Sequence, residues 1–161
     1  MTVYTTMASP VGELLLVGEI RDGETVLTAV SMAGGKSLLV QPDWVADADA
    51  FAAVVPQLAA YFAGERTGFD LRFGDGGTEF QRRVWRAIDA IPYGSTTTYG
   101  EIARSIGASR AAVRAVGSAI GANPLLIVRP CHRVIGADGS LTGYAGGIER
   151  KQLLLELERI A

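Results

Sequence analysis

The sequence predicts an α+β protein, with a small antiparallel sheet and one helix in its first half and a mostly helical second half carrying a helix-turn-helix. Three observations predict it. Residues 2–31 hold three runs rich in Val, Leu and Thr, separated by turn chemistry, which is the composition of strands. From Thr78 onward, two Thr-x-x-Glu/Gln helix openings each precede apolar residues at helical spacing. Between the halves lies Asp75-Gly76-Gly77, a linker-like stretch across which the charge changes sign. Residues 1–76 carry four basic against ten acidic residues, a balance of −6, and residues 77–161 carry eleven against seven, a balance of +4. Two domains, 1–76 and 77–161, are therefore expected.

Composition narrows the class. At 161 residues, 48% hydrophobic and 20% charged, the chain can bury a sizeable core and is not disordered by default. Its single cysteine excludes an internal disulfide, which fits a reducing compartment. One Cys and one His also fall short of the four soft ligands of structural zinc, so no metal is expected. Residues 1–10 lack the basic and apolar regions of a signal peptide, and no apolar run reaches membrane-spanning length. A soluble cytoplasmic protein without membrane contact is expected. A basic half on an acidic chain points to a polyanionic partner, with solvated surface charge as the commoner explanation.

The elements follow in order. Residues 2–7, 12–19 and 25–31 read as a meander, with Arg21-Asp22-Gly23-Glu24 turning between the last two. In residues 47–62, Phe51, Val54, Val55, Leu58, Ala59 and Phe62 recur at helical spacing; Pro56 interrupts them, so the helix starts late or kinks. Residues 69–73 could add a strand. Thr78-Glu79-Phe80-Gln81 opens a helix to Ile91, with Phe80, Val84, Trp85 and Ile88 on one face. Thr98-Tyr99-Gly100-Glu101 opens a second, to Ile106. After the turn Gly107-Ala108-Ser109, Ser109 caps a third helix over residues 110–122, completing a helix-turn-helix pattern. Residues 125–128 read as a short strand, and residues 148–160 as a helix burying Leu153, Leu154 and Leu157.

The third helix is rich in small residues, among them Ala115, Gly117 and Ser118. Either it packs tightly on a neighbour, or its surface approaches a nucleic-acid backbone with Arg110 and Arg114 reaching phosphates or bases. Asn123-Pro124 ends it. Beyond lies Pro130-Cys131-His132-Arg133, which sets the only cysteine beside the only histidine. A thiol is a nucleophile as thiolate, and an imidazole held by a third group can take its proton. In an extended segment the two side chains point to opposite faces, so a water or a bend must connect them. Glu156 or Glu158 of the last helix could orient His132. Residues 141–147 form a glycine-rich loop whose backbone N–H groups can face a ligand. These residues alone leave open a lesion-binding or regulatory helix-turn-helix protein, a cysteine hydrolase, and a structural module with an inert Cys131.

Pro130-Cys131-His132-Arg133-Val134, behind an Arg114-Ala115-Val116-Gly117 helix and an Asn123-Pro124 junction and ahead of Gly143-Tyr144-Ala145-Gly146-Gly147, resembles the O6-alkylguanine-DNA alkyltransferase family. The likeness runs from Thr78 to Glu158. It implies a ribonuclease H-like first half, a winged-helix-like second half, and single-use transfer of an alkyl group to Cys131 from O6-alkylguanine, or O4-alkylthymine, in double-stranded DNA. By resemblance His132 is a base acting through water, Glu158 orients it, and Asn123 is the hinge. Tyr99, Val134, Tyr144 and Ala145 then form the base pocket. Arg114 fills the stack left by a flipped base, while Arg110, Ala115, Gly117 and Ser118 meet the DNA. No cofactor, metal or obligate protein partner is implied, and a monomer is expected. Arg129 departs from the pattern, because the segment before Pro-Cys is often wholly apolar in the family. One branch of the family replaces the cysteine and only binds damaged DNA; this chain keeps Cys131.

Overall fold

A computed structural model describes residues 1–34, 39–74 and 76–160. Strands β1 (Thr2–Met7), β2 (Leu14–Arg21) and β3 (Glu24–Met32) form the expected antiparallel meander. Asp22 and Gly23 both take positive φ, 53° and 77°, the backbone that a two-residue hairpin turn with matching twist requires. A short β4 (Val45–Ala46) adds parallel to β1, giving the order β3-β2-β1-β4.

The free edge of β3 explains two differences from the sequence reading. Residues 69–73 make one bridge, Phe73 to Leu27, and residues 125–128 make one, Leu125 to Val30. Each segment docks on a different short length of the same edge, so neither continues as a strand. Backbone bonds hold both: Leu27 N–H donates to Arg72 O at 2.8 Å and Val30 N–H to Pro124 O at 2.9 Å.

The first helix does start late. Asp47 caps a 3-10 turn over Ala48–Phe51, and α1 then spans Val54–Phe62 with Val54, Leu58 and Tyr61 buried. Pro56 falls in its first turn, where a missing N–H leaves no helical bond unmade. Helix α2 (Glu79–Asp89) carries a complete capping box between Thr78 and Gln81, and ends two residues before the expected Ile91. Ahead of it, Gly77 has φ 93°, and a Cβ there would meet the Trp85 ring at 2.6 Å. Asp75, in the expected linker, lies outside the described residues.

Helix α3 (Tyr99–Ser105) is capped by Thr98, but the Glu101 carboxylate accepts from the Thr97 hydroxyl at 2.7 Å, so only half of the second capping box forms. The third helix is split into a 3-10 turn, Arg110–Ala112, and α4 (Val113–Gly121). The backbone carbonyl of Ser109 closes the first turn by accepting from Ala112 N–H at 2.9 Å, and the Ser109 side chain makes no cap bond. Helix α5 (Ile148–Ile160) buries Leu154 and half-buries Leu157, whereas Leu153 is 47% exposed, because it falls on the far side of the helix from the inward face of Lys151, Leu154 and Glu158.

Two parallel two-residue strands, β5 (Thr97–Thr98) and β6 (Val134–Ile135), join the start of α3 to the Cys loop. One hydrophobic cluster runs through both halves, including Leu16, Phe51 and Leu58 from the first and Val84, Ile88, Val116 and Leu154 from the second. Burial of each such side chain stabilises the fold by about 1.5–3 kcal/mol. Trp85 spans the helices by donating Nε1–H to Ala119 O at 2.8 Å, fixing α2 on α4. Among the described residues no helix is long and apolar enough to cross a membrane.

Candidate active site

The chain between α4 and Cys131 turns twice within six residues. Around Ile127, at φ 71°, Val128 N–H donates to Leu126 O at 2.8 Å, forming the rare γ-turn with positive φ. Such backbone costs a β-branched residue on the order of 1–3 kcal/mol. Around Pro130 (φ −80°, ψ 58°), Cys131 N–H donates to Arg129 O at 2.8 Å, the common inverse γ-turn. Asn123 holds the reversal together. Its Oδ1 accepts from Leu125 N–H at 3.0 Å and its Nδ2 donates to Arg129 O at 3.2 Å. Arg129 is buried as well: its Nη1 reaches Asn123 Oδ1 at 3.4 Å, its Nε lies 3.4 Å from Asp89, and its guanidinium sits over the Trp85 ring at 4.8 Å. The residue that departs from the family's apolar pattern is thus accommodated by a stacked indole and a carboxylate.

Cys131, His132 and Arg133 form one turn of 3-10 helix instead of the expected extended segment. At about three residues per turn, successive side chains diverge by roughly 120°. Cys131 faces a cleft, while His132 and Arg133 point inward to Glu158 on α5. This carboxylate is crowded with donors. Oε2 lies 2.6 Å from His132 Nε2 and accepts from the Tyr61 hydroxyl at 2.5 Å, and Arg133 donates to Oε1 from Nε at 2.7 Å and to Oε2 from Nη2 at 3.1 Å. Glu156 is exposed and pairs with Gln152 on its own helix.

The protonation states follow from burial and partners. Burial pushes the Cys131 thiol up to about 11, against the opposing pull of the Asn123 side chain and the Lys151 charge. At rest Cys131 is therefore a thiol. Burial holds His132 below its usual range despite its bond to Glu158. Burial would raise Glu158, but the bonds from His132 and Arg133 outweigh it and hold the carboxyl down to about 2. An ionised carboxylate only accepts hydrogen bonds, so neutral His132 carries its proton on Nε2 and leaves the Nδ1 lone pair free. Nδ1 is buried and has no partner among the described residues.

The cleft has a volume of about 950 Å³. Tyr99, Arg110, Arg114, Gly117, Ser118, Tyr144 and Ala145 all line it together with Cys131. Val134 does not: it is fully buried in β6, within the core. Ala115 is exposed on α4 but lies outside the lining, and Asn123, His132 and Glu158 stand behind the Cys131 wall. The Tyr99 hydroxyl donates to Thr142 O at only 3.3 Å, tying α3 loosely to the glycine-rich loop. In that loop a Cβ on Gly146 would meet Met32 Sδ at 2.4 Å and the Tyr144 ring at 2.8 Å, so the backbone needs glycine to pass.

Two family models match the chain. Residues 2–74 match the 6-O-methylguanine DNA methyltransferase, ribonuclease-like domain, and residues 79–160 match the 6-O-methylguanine DNA methyltransferase, DNA binding domain. The chain belongs to this methyltransferase family. Among curated relatives, the methylated-DNA-protein-cysteine methyltransferase of Mycolicibacterium paratuberculosis is 55% identical over 99% of this chain and 93% of its own length. That of Methanosarcina acetivorans is 49% identical, with 96% and 97% covered. The solved Mycobacterium tuberculosis OGT in complex with DNA is 52% identical with a TM-score of 0.89, covering 98% of this chain and 93% of that one.

Within this family member, the sequence reading missed three buried polar residues of the site: Arg133, whose bonds to Glu158 are given above, Lys151 and Tyr61. Lys151 is 0% exposed, and its ammonium donates to Thr142 O at 2.8 Å, pinning the glycine-rich loop. Lys151, Leu154 and Glu158 share one face of α5 at i, i+3 and i+7, so charge on an otherwise apolar stripe was the available signal. Tyr61 lies on the Val54-Leu58-Tyr61 stripe of α1, in the half that supplies none of the expected site residues. A tyrosine on a buried stripe needs an acceptor for its hydroxyl, and that requirement was the clue.

Proposed function

We propose that the chain repairs DNA by transferring an alkyl group, methyl in the simplest case, from O6 of guanine in double-stranded DNA to Cys131. One observation carries this reading: the sole thiol faces the cleft lined by α4, with a neutral imidazole and an ionised carboxylate buried directly behind it. In the reaction, the Cys131 proton passes through a water to His132 Nδ1, and Glu158 stabilises the imidazolium that forms. Cys131 Sγ then bonds to the alkyl carbon as the C–O6 bond breaks, and its electron pair leaves with the guanine. The Tyr99 hydroxyl and the Ala145 backbone N–H donate hydrogen bonds to the departing base. The base takes up the proton that Cys131 gave to His132, returned through water, and leaves as neutral guanine while His132 regains its neutral form. O4-alkylthymine offers the same kind of carbon. No step calls for a cofactor. The thioether is stable, so each molecule acts once.

The target atom is unreachable inside a duplex, so the base must flip out. Arg114 fills the vacated stack and Arg110 meets a phosphate, with Ala115, Gly117 and Ser118 allowing the backbone close. Residues 77–161 carry the DNA contacts and the acceptor, and residues 1–76 brace them. The working state is a monomer with Cys131 reduced, as in the cytoplasm.

The test is the intact mass and peptide map of the protein after exposure to duplex DNA containing O6-methylguanine. One methyl group on Cys131, absent from Cys131→Ser, is the expected result. Continued turnover without a label would indicate a hydrolase, and lesion binding without a label a non-catalytic binder.

A further inference from the structure

We infer that Tyr61, from the first half of the chain, is a positioning residue of the reaction: its hydroxyl holds Glu158 toward His132 and limits how strongly that carboxylate retains the imidazole proton. This rests on the reading of Cys131 and His132 given above.

The geometry is specific. The Tyr61 hydroxyl donates to Oε2 of Glu158 at 2.5 Å, and this is the oxygen that lies 2.6 Å from His132 Nε2. Arg133 Nη2 also reaches Oε2, and Arg133 Nε holds Oε1. Arg133 therefore already supplies a charge partner, and the Tyr61 bond is an additional one placed on the oxygen that serves the base. The ring cannot swing away, because Phe62, Phe69 and Tyr93 pack around it with centroids at 5.3, 5.6 and 6.2 Å. Tyr61 itself is fully buried.

A donated hydroxyl stabilises the carboxylate charge and weakens the pull of Oε2 on the proton at His132 Nε2. Without it, His132 binds a second proton more readily. A protonated His132 cannot accept from Cys131, so the acid limb of the transfer rate must move to higher pH. A hydroxyl that merely fills the core would lower stability and leave that limb where it is.

His132 is the only histidine in the chain, so its ring NMR signals titrate without overlap from another. The experiment follows them, together with the rate of benzyl transfer from free O6-benzylguanine, across pH in wild type, Tyr61→Phe, Tyr93→Phe and Glu158→Gln, and in Tyr61→Phe combined with Glu158→Gln. Tyr61→Phe is expected to raise both the His132 midpoint and the acid limb by about one pH unit, the scale of one hydrogen bond to a charged group. Tyr93→Phe, which removes a neighbouring hydroxyl that does not bond to Glu158, should leave both in place. In the Glu158→Gln background, adding Tyr61→Phe should shift nothing further. A Tyr61→Phe protein that titrates and reacts like wild type overturns the proposal, as does a shift that survives Glu158→Gln. A wild type that takes up no benzyl group removes the transfer reading and this proposal together.

Discussion

Cys131 is a thiol whose burial pushes it up to about 11, so at neutral pH the reaction depends on a base to remove its proton. That dependence gives His132→Ala a characteristic profile. Single-turnover transfer near neutrality should fall on the order of a hundredfold or more while DNA affinity is kept, and the deficit should shrink as the pH approaches 11 and hydroxide replaces the base. Equal losses of binding and transfer would make His132 a structural residue instead. Glu156→Gln is the matched control and should change neither, since Glu156 is exposed and accepts from Gln152 on the outer side of α5. The Cys-His pair was legible in the sequence because both residues are unique there. The choice between the two glutamates came from family resemblance, and the fold places one of them inward and the other outward. Arg133, Lys151 and Tyr61 were missed because packing decides what each side chain meets: the charge and the hydroxyl on buried stripes mark Lys151 and Tyr61 but do not name their partners.

Among the helices, α4 turns Val116, Ala119 and Ile120 inward and leaves Arg114, Ala115 and Ser118 exposed. Gly117 has nothing nearer its Cβ position than Tyr99 Cδ1 at 4.0 Å, so tight packing on a neighbour explains the buried Ala119 but not the small residues of the outer face. Ala115→Leu should therefore leave stability within about 0.5 kcal/mol and spare reaction with free O6-benzylguanine, while weakening repair of duplex DNA. Arg114→Ala should likewise slow duplex repair far more than free-base reaction, because only the duplex must meet the unstacking cost of a few kcal/mol. Should either substitution slow both substrates alike, the face supports the fold and not the DNA. The same helices mark the limit of local reading. Capping boxes and apolar spacing found α2 and α3, because those signals act within one turn. The bridges at Phe73 and Leu125 and the strand β4 depend on sheet edges supplied by distant residues, and the γ-turn at Ile127 defies its own residue's preference.

Taken whole, the molecule should lose stability on acidification in two stages. Burial keeps His132 below 6.5, so the unfolded chain binds that proton first and stability begins to fall as the pH drops through 6.5. Glu158, held down to about 2, is matched by an unfolded carboxyl near 4.5, so a second loss runs from about pH 4.5 toward 2. Thermal midpoints measured across this range should show both stages, and Glu158→Gln should remove the lower one. A midpoint constant from pH 6.5 to 3 would contradict the assignment. Beyond the hydrophobic cluster they share, two of the contacts between the halves exchange differently. The bridge between Val30 and Leu125 is made of backbone and asks of a first half only an apolar strand edge in that place. The bond from Tyr61 to Glu158 is made by a side chain. In a chimera that grafts residues 77–161 onto the first half of a distant relative, the halves could dock and fold, yet the transplant would work at its native pH only if the donor half brought a hydroxyl to the place of Tyr61. Compatibility between the halves therefore requires one correctly placed hydroxyl group in addition to the apolar surface they share.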